Sequence, residues 1–123
     1  MSRTSMLFAA TMLVMSQPVF AQNASIAGRW TNSGNCSKWD QFTQSGSSWT
    51  YAEWDFDQGQ PQTATVSTSA NGAVTVLVRG PDYQYQFVIQ MKDSNSFTSV
   101  EHYTSGGPPG GGKSQTYTYT RCP

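Results

Sequence analysis

The pattern of apolar and polar positions after Ala21 is that of short strands rather than helices. In residues 83–91 the apolar side chains occupy every second position, and the positions between them are mostly glutamine. Such alternation presents one face to a core and the other to water, as in an antiparallel sheet. Runs of Val, Thr, Tyr, Trp and Ser predict eight strands, at residues 26–31, 37–44, 48–55, 63–68, 73–79, 83–91, 96–104 and 114–121.

The links between these strands are short and rich in Gly, Asn, Asp and Pro. Asn71-Gly72 is the strongest hairpin signal and predicts a type I′ turn. The last link, residues 105–113, is longer and consists mostly of Gly and Pro. Eight short strands joined in this way predict an all-β fold, a small antiparallel up-and-down barrel.

The N-terminus has the pattern of a secretory leader. Arg3 supplies a positive charge, residues 6–15 form an apolar stretch too short to span a bilayer, and Ala21 ends a small-residue cleavage site. We therefore expect a signal peptide at 1–21 and one barrel domain at 22–123, located in the periplasm or secreted. In an exported chain, Cys36 and Cys122 have one possible intramolecular pairing, which predicts a disulfide that closes the barrel.

Charge and candidate chemistry exclude several classes of function. Lys plus Arg number seven, as do Asp plus Glu, so there is no basic face for nucleic acid. We also expect no membrane insertion and no stable oligomer. Residues 107–114 match the phosphate-loop pattern, but a strand follows and two prolines remove N–H donors, so we interpret them as a loop at the barrel rim.

No catalytic constellation can be assembled from the sequence. The acids at 53–57 are expected to be a solvated strand end, Glu101 is the only other plausible acid, and His102 is the sole histidine. With both cysteines in a disulfide, no metal ligand set remains, so we expect no metal, no cofactor and no enzymatic activity.

The segment Gly28-Arg29-Trp30, together with Arg121, resembles the calycin superfamily of lipocalin-like barrels. Those proteins carry a G-x-W motif on the first strand and an arginine near the end of the last strand that packs across the tryptophan. The resemblance implies structural roles for Gly28, Trp30 and Arg121. The opening through Cys36 is also similar to small periplasmic protease inhibitors of the Inh type. In that family the N-terminal segment enters the protease cleft, which would correspond here to residues 22–25.

Aromatic residues are the main candidates for binding, although core filling in a narrow barrel would also account for many of them. The leading hypothesis is a non-enzymatic binding protein for a small apolar or aromatic ligand. It predicts an interior cavity of about a few hundred Å³. The alternatives are an inhibitor of a protease or other hydrolase, and a carbohydrate-binding module with coplanar rings on its surface. The candidate ligand-binding residues are Trp39, Trp49, Tyr51, Trp54, Tyr85, Phe87 and Tyr103.

Overall fold

The protein is a closed eight-stranded β-barrel, as the sequence predicts. The structure, a computed structural model, describes residues 25–105 and 114–123. Each strand pairs antiparallel with the next, and the eighth pairs with the first. The strands are β1 (Gly28–Thr31), β2 (Asp40–Ser45), β3 (Ser48–Glu53), β4 (Gln62–Thr68), β5 (Val74–Arg79), β6 (Tyr83–Asp93), β7 (Ser96–Ser105) and β8 (Ser114–Arg121). The leader predicted at 1–21 and most of the Gly/Pro-rich link lie outside the described residues.

Two links differ from the sequence prediction for local reasons. β2 begins at Asp40 rather than at residue 37, because Asn35 holds the preceding residues in a turn: its side-chain oxygen accepts from the Ser37 N–H at 3.0 Å. A single 3₁₀ turn, Asp57–Gly59, follows β3. No helix in the described part of the chain is long and apolar enough to cross a membrane.

The predicted type I′ turn at Asn71-Gly72 is wrong, although the hairpin itself is present. A type I′ turn needs positive φ at two successive residues, whereas only Gly72, at 89°, has it here. The Gly72 N–H donates to the Ser69 carbonyl at 3.0 Å, and the Asn71 side chain accepts from the Ala73 N–H at 3.1 Å. The asparagine side chain therefore completes a longer turn that leaves its own backbone unstrained.

The core lies inside the barrel and consists of the alternate residues that point inward from each strand. Phe42, Phe87 and Ile89 are almost completely buried. The Phe42 and Phe87 ring centroids lie 5.2 Å apart, nearly perpendicular. The regular alternation in β6 therefore correctly indicates which face packs inside.

β1 and β8 meet along the shortest ladder, which we call the seam. Only Trp30 with Arg121 and Thr31 with Thr120 are paired there. The predicted disulfide between Cys36 and Cys122 is present beside it and joins residues 86 positions apart in the chain. It links the segment that follows β1 to the end of β8, so it fastens the two strands that close the barrel.

Arg121 covers the Trp30 ring at the end of the barrel near the seam. Its guanidinium carbon lies 4.2 Å from the ring centroid, and its nitrogens donate to the carbonyls of Ser25, Ala27 and Ser94 at 2.9–3.0 Å. The Trp30 indole N–H donates to the Ile26 carbonyl at 2.8 Å. The Arg121 side chain thus joins its own strand, β8, to the segment before β1 and to the link between β6 and β7.

Candidate functional site

A pocket opens at the end of the barrel where β3 and β7 finish and β4 and β6 begin. We call it the mouth pocket. Its volume is about 130 Å³, and five of its eight lining residues are aromatic. The lining residues are Tyr51, Glu53, Phe56, Gln62, Val78, Tyr83, Tyr85 and Tyr103.

Strand alternation and one glycine place the aromatic walls. Tyr83 and Tyr85 both point inward from β6, and Tyr85 pairs with Tyr103 of β7. The Tyr83 ring lies directly against Gly80, where an added Cβ would come within 1.9 Å of it. Phe56, from the link after β3, packs edge-on against Tyr83 with 5.5 Å between ring centroids. The pocket wall therefore combines strand residues with one residue from a link.

The floor of the pocket rests on the core. The Phe87 ring is fully buried and lies 4.9 Å from Tyr85 and 5.0 Å from Tyr51, measured between centroids. The mouth pocket therefore differs from the interior cavity that the sequence led us to expect. It is smaller, it lies at the rim, and its lining contains no tryptophan.

Two buried carboxyl groups lie behind the tyrosines. The Tyr51 hydroxyl donates to Asp40 at 2.5 Å. The carboxyl of Glu101 accepts from the Tyr85 hydroxyl at 2.6 Å and from the Tyr119 hydroxyl at 2.5 Å. Only 9% of Asp40 and 4% of Glu101 is exposed. Each carboxyl thus reaches the pocket region through a tyrosine hydroxyl.

Burial makes these acids hard to ionise, because the charged form loses its hydration. It raises the pKa of Asp40 to about 6 and the pKa of Glu101 to about 7. The pKa of Glu53, which lines the pocket itself, also rises to about 7, chiefly through burial and then through the nearby Asp40 and Asp55 charges. The same burial and the neighbouring carboxyls raise the pKa of the Tyr85 and Tyr119 hydroxyls, which stay protonated donors.

None of the described basic side chains lines the mouth pocket. Arg29 donates to Gln41 and lies over the Trp39 ring, Lys38 faces the Trp54 ring, and Arg121 binds the carbonyls described above. Arg79 and Lys92 are exposed to solvent. Within residues 25–105 and 114–123, no group of three or more His, Cys, Asp and Glu side chains is arranged to hold a metal ion.

The candidate ligand-binding residues from the sequence fall into two sets. Tyr51, Tyr85 and Tyr103 come together in the mouth pocket, with Phe87 behind them. The three tryptophans lie apart from it. Trp49 packs half-buried against the core, Trp39 stacks under Arg29 with 4.0 Å between the guanidinium carbon and the ring centroid, and Trp54 is 40% exposed.

The acids are the part of the site that sequence reasoning missed. Asp55 and Asp57 are exposed, as expected of a strand end, but Glu53 is half-buried and faces the pocket. Alternation carried the signal: Asp40 stands two residues before the inward Phe42, and Glu101 four residues after the inward Phe97. An acid in phase with core positions predicts a buried carboxyl.

His102, the sole histidine, lies away from the mouth pocket. It is on the outer face of β7, where its Nδ1 hydrogen-bonds with the Ser114 hydroxyl at 2.9 Å.

Comparisons of the chain with protein-family models, with curated proteins and with solved structures found no match.

Proposed function

We propose that this chain is an exported, non-enzymatic binding protein that holds a small ligand in the mouth pocket of a lipocalin-like barrel. The observation that carries the proposal is a pocket walled by five aromatic rings and open to solvent at the rim. Ligand sites are concave and mostly apolar, with a few polar groups that fix orientation, and the mouth pocket has this composition. The disulfide is typical of chains that fold in an oxidising compartment, which supports export.

The size of the pocket limits what it can hold. At about 130 Å³ it is close to the ~150 Å³ cavity that accommodates benzene in another protein. One ring or one compact head group therefore fits, and the remainder of a larger ligand would extend through the open rim. Polar contacts are available inside, since Gln62 and the Tyr83 hydroxyl already bond to each other at 2.9 Å.

Binding can be tested with small probes such as phenol, indole and benzyl alcohol, titrated while amide chemical shifts are followed by NMR. We expect shifts centred on residues of the mouth pocket. Tyr103→Ala and Phe56→Ala should each weaken binding about fivefold, because an aromatic contact contributes ~1 kcal/mol. Both residues are more than a third exposed, so their removal should leave the fold intact.

Val100→Ala is the matched control. Val100 is 42% exposed on the same strand as Tyr103 but does not line the mouth pocket. It should leave probe affinity unchanged. If the three variants weaken binding equally, or if no probe shifts the pocket residues, the proposal is wrong.

A second candidate is inhibition of a protease or other hydrolase, in line with the resemblance to Inh-type inhibitors. Its support is the exposure of two aromatic residues that line the pocket, Phe56 at 39% and Tyr103 at 47%, and of Trp54, two residues before Phe56 in the chain, at 40%. Exposed aromatics are enriched where proteins dock. In that case the Phe56 and Tyr103 variants would lose inhibition of a target hydrolase while no small probe binds. A carbohydrate-binding role stays a prediction.

A further inference from the structure

The rings of the mouth pocket present their surfaces from several directions. Tyr51 and Tyr85 are nearly parallel, with an angle of 15° between ring planes, and so are Tyr83 and Tyr103, at 18°. Phe56 stands edge-on to Tyr83 at 79°. The face of an aromatic ring carries partial negative charge, so ring faces turned toward this small space would attract a cation.

Acidic groups reinforce this preference. The Glu53 carboxyl lines the pocket, and one of its oxygens lies 3.5 Å from the Tyr51 hydroxyl, which donates to Asp40. Glu101 lies behind Tyr85. No described Lys or Arg residue lines the pocket or pairs with these carboxyls. Among the described residues, the local charge is therefore negative wherever a carboxyl ionises.

We propose that the mouth pocket binds the positively charged head group of a small organic amine or quaternary ammonium compound. The aromatic rings form its walls, and Glu53 supplies the counter-charge. This inference rests on the proposed binding function, since it concerns the same pocket. It explains why a space with apolar walls carries a carboxyl, which an uncharged apolar ligand would have no use for.

The titratable groups facing this space come from every surrounding element. They are Asp40 on β2, Tyr51 and Glu53 on β3, Asp55 and Asp57 in the following link, Asp82 in the link before β6, Tyr83 and Tyr85 on β6, Glu101 and Tyr103 on β7, and Tyr119 on β8. The pKa values of the Tyr51, Tyr83, Tyr85 and Tyr119 hydroxyls are raised, so these hydroxyls stay protonated and the carboxyls set the pH dependence. Because burial raises the Glu53 pKa to about 7, more of this carboxyl is ionised at pH 8 than at pH 6. Cation affinity should therefore increase severalfold between these two pH values.

The test compares choline with 3,3-dimethylbutan-1-ol, its uncharged carbon analogue of nearly the same shape. Both are titrated by calorimetry into the disulfide-intact protein at pH 6 and pH 8, with n-propylamine as a primary-amine arm. We expect at least one cation to bind about tenfold more tightly than the neutral analogue at pH 8. The cation should lose affinity at pH 6, and the neutral analogue should not.

Two variants test whether Glu53 supplies the negative charge that attracts the cation. Glu53→Gln should remove most of the pH dependence of cation affinity and reduce the cation's advantage over the neutral analogue to what the ring faces contribute, while keeping the shape of the pocket. Asp82→Asn removes the same charge from an exposed position in the link between β5 and β6, outside the pocket lining, and should have little effect.

The outcomes separate the two proposals. If the neutral analogue binds as tightly as the cations, the cation inference is overturned and the binding function stands. If the two variants weaken cation binding equally, the attraction is long-range, and the role given to Glu53 is overturned. If neither cation nor neutral probe binds, both proposals fail together.

Discussion

At the scale of single residues, Gly28 shows how one position limits another. Its φ of +131° lies where side chains are disfavoured, and an added Cβ would come within 2.7 Å of the Arg121 guanidinium nitrogen. That nitrogen donates to the Ala27 carbonyl, and the guanidinium covers Trp30. The glycine therefore leaves room for the arginine that holds this end of the barrel together.

We expect Gly28→Ala to lower the free energy of unfolding by about 2–3 kcal/mol, from backbone strain and displacement of Arg121 together. Gly34→Ala is the matched control, because Gly34 also has positive φ, at +78°, but nothing within 4 Å of the added Cβ. It should cost only about 1 kcal/mol, the strain alone. Urea unfolding measures both, and equal losses would show that the contact with Arg121 contributes nothing.

At the scale of elements, the inner faces of β2 and β7 each carry a carboxyl that an apolar core would not require. Asp40 and Glu101 have raised pKa values because burial disfavours their charged forms. In the unfolded chain the same groups titrate near 4. Between these values the folded state binds more protons than the unfolded state, so stability must fall as pH rises.

The direction in which stability changes with pH can be tested directly. The folded protein should be most stable near pH 4 and should lose stability as the pH rises from there through about 6 and 7, where Asp40 and Glu101 ionise in the folded state. The loss should be on the order of 3 kcal/mol for Asp40 and about 3–4 kcal/mol for Glu101. Asp40→Asn should flatten the dependence and be more stable than the wild type at pH 8, while Asp82→Asn should keep the wild-type slope. Thermal unfolding from pH 4 to 8 measures this, and stability rising with pH would contradict it.

The strands and turns also show how much of the fold could be predicted from the sequence. The alternation in β6 was strong enough to predict both the strand and its inward residues, and all eight strands lie close to their predicted ranges. The predicted start of β2 and the predicted turn type at Asn71 were wrong because asparagine side chains bond to nearby backbone N–H groups at both places. A pattern of apolar positions contains no information about such bonds.

The site was predictable only in part. Tyr51, Tyr85 and Tyr103 could be named as aromatic candidates, but their meeting at one mouth depends on register between strands far apart in the chain. Phe56 enters from a link with no periodic pattern, and Gly80 matters only because the Tyr83 ring packs against it. Such placements arise from tertiary packing and not from local pattern.

At the scale of the whole molecule, closure depends on the seam. Its ladder has two residue pairs, whereas β6 and β7 pair along ten. The Cys36–Cys122 bond and the Arg121 contacts therefore supply what the short ladder lacks. Because the bond encloses most of the barrel, it restricts the unfolded chain strongly.

Replacing both cysteines, Cys36→Ser with Cys122→Ser, should lower the free energy of unfolding by about 2–5 kcal/mol. Urea unfolding of the variant against the oxidised wild type measures the loss. The reduced wild type provides the control for the substitutions themselves and should resemble the variant. An unchanged midpoint in both would rule out a stabilising role for the bond.

The seam has a further consequence for the protein in concentrated solution. If it opens, β8 becomes an edge strand that offers unpaired N–H and C=O groups to other chains. Its residues 115–120 alternate Thr with Tyr after one Gln and contain no charge and no proline, a composition that favours intermolecular β-stacking. By keeping the seam closed, the disulfide and Arg121 thus oppose self-association as well as unfolding. A reducing environment would expose a strand that the oxidised barrel keeps paired with β1.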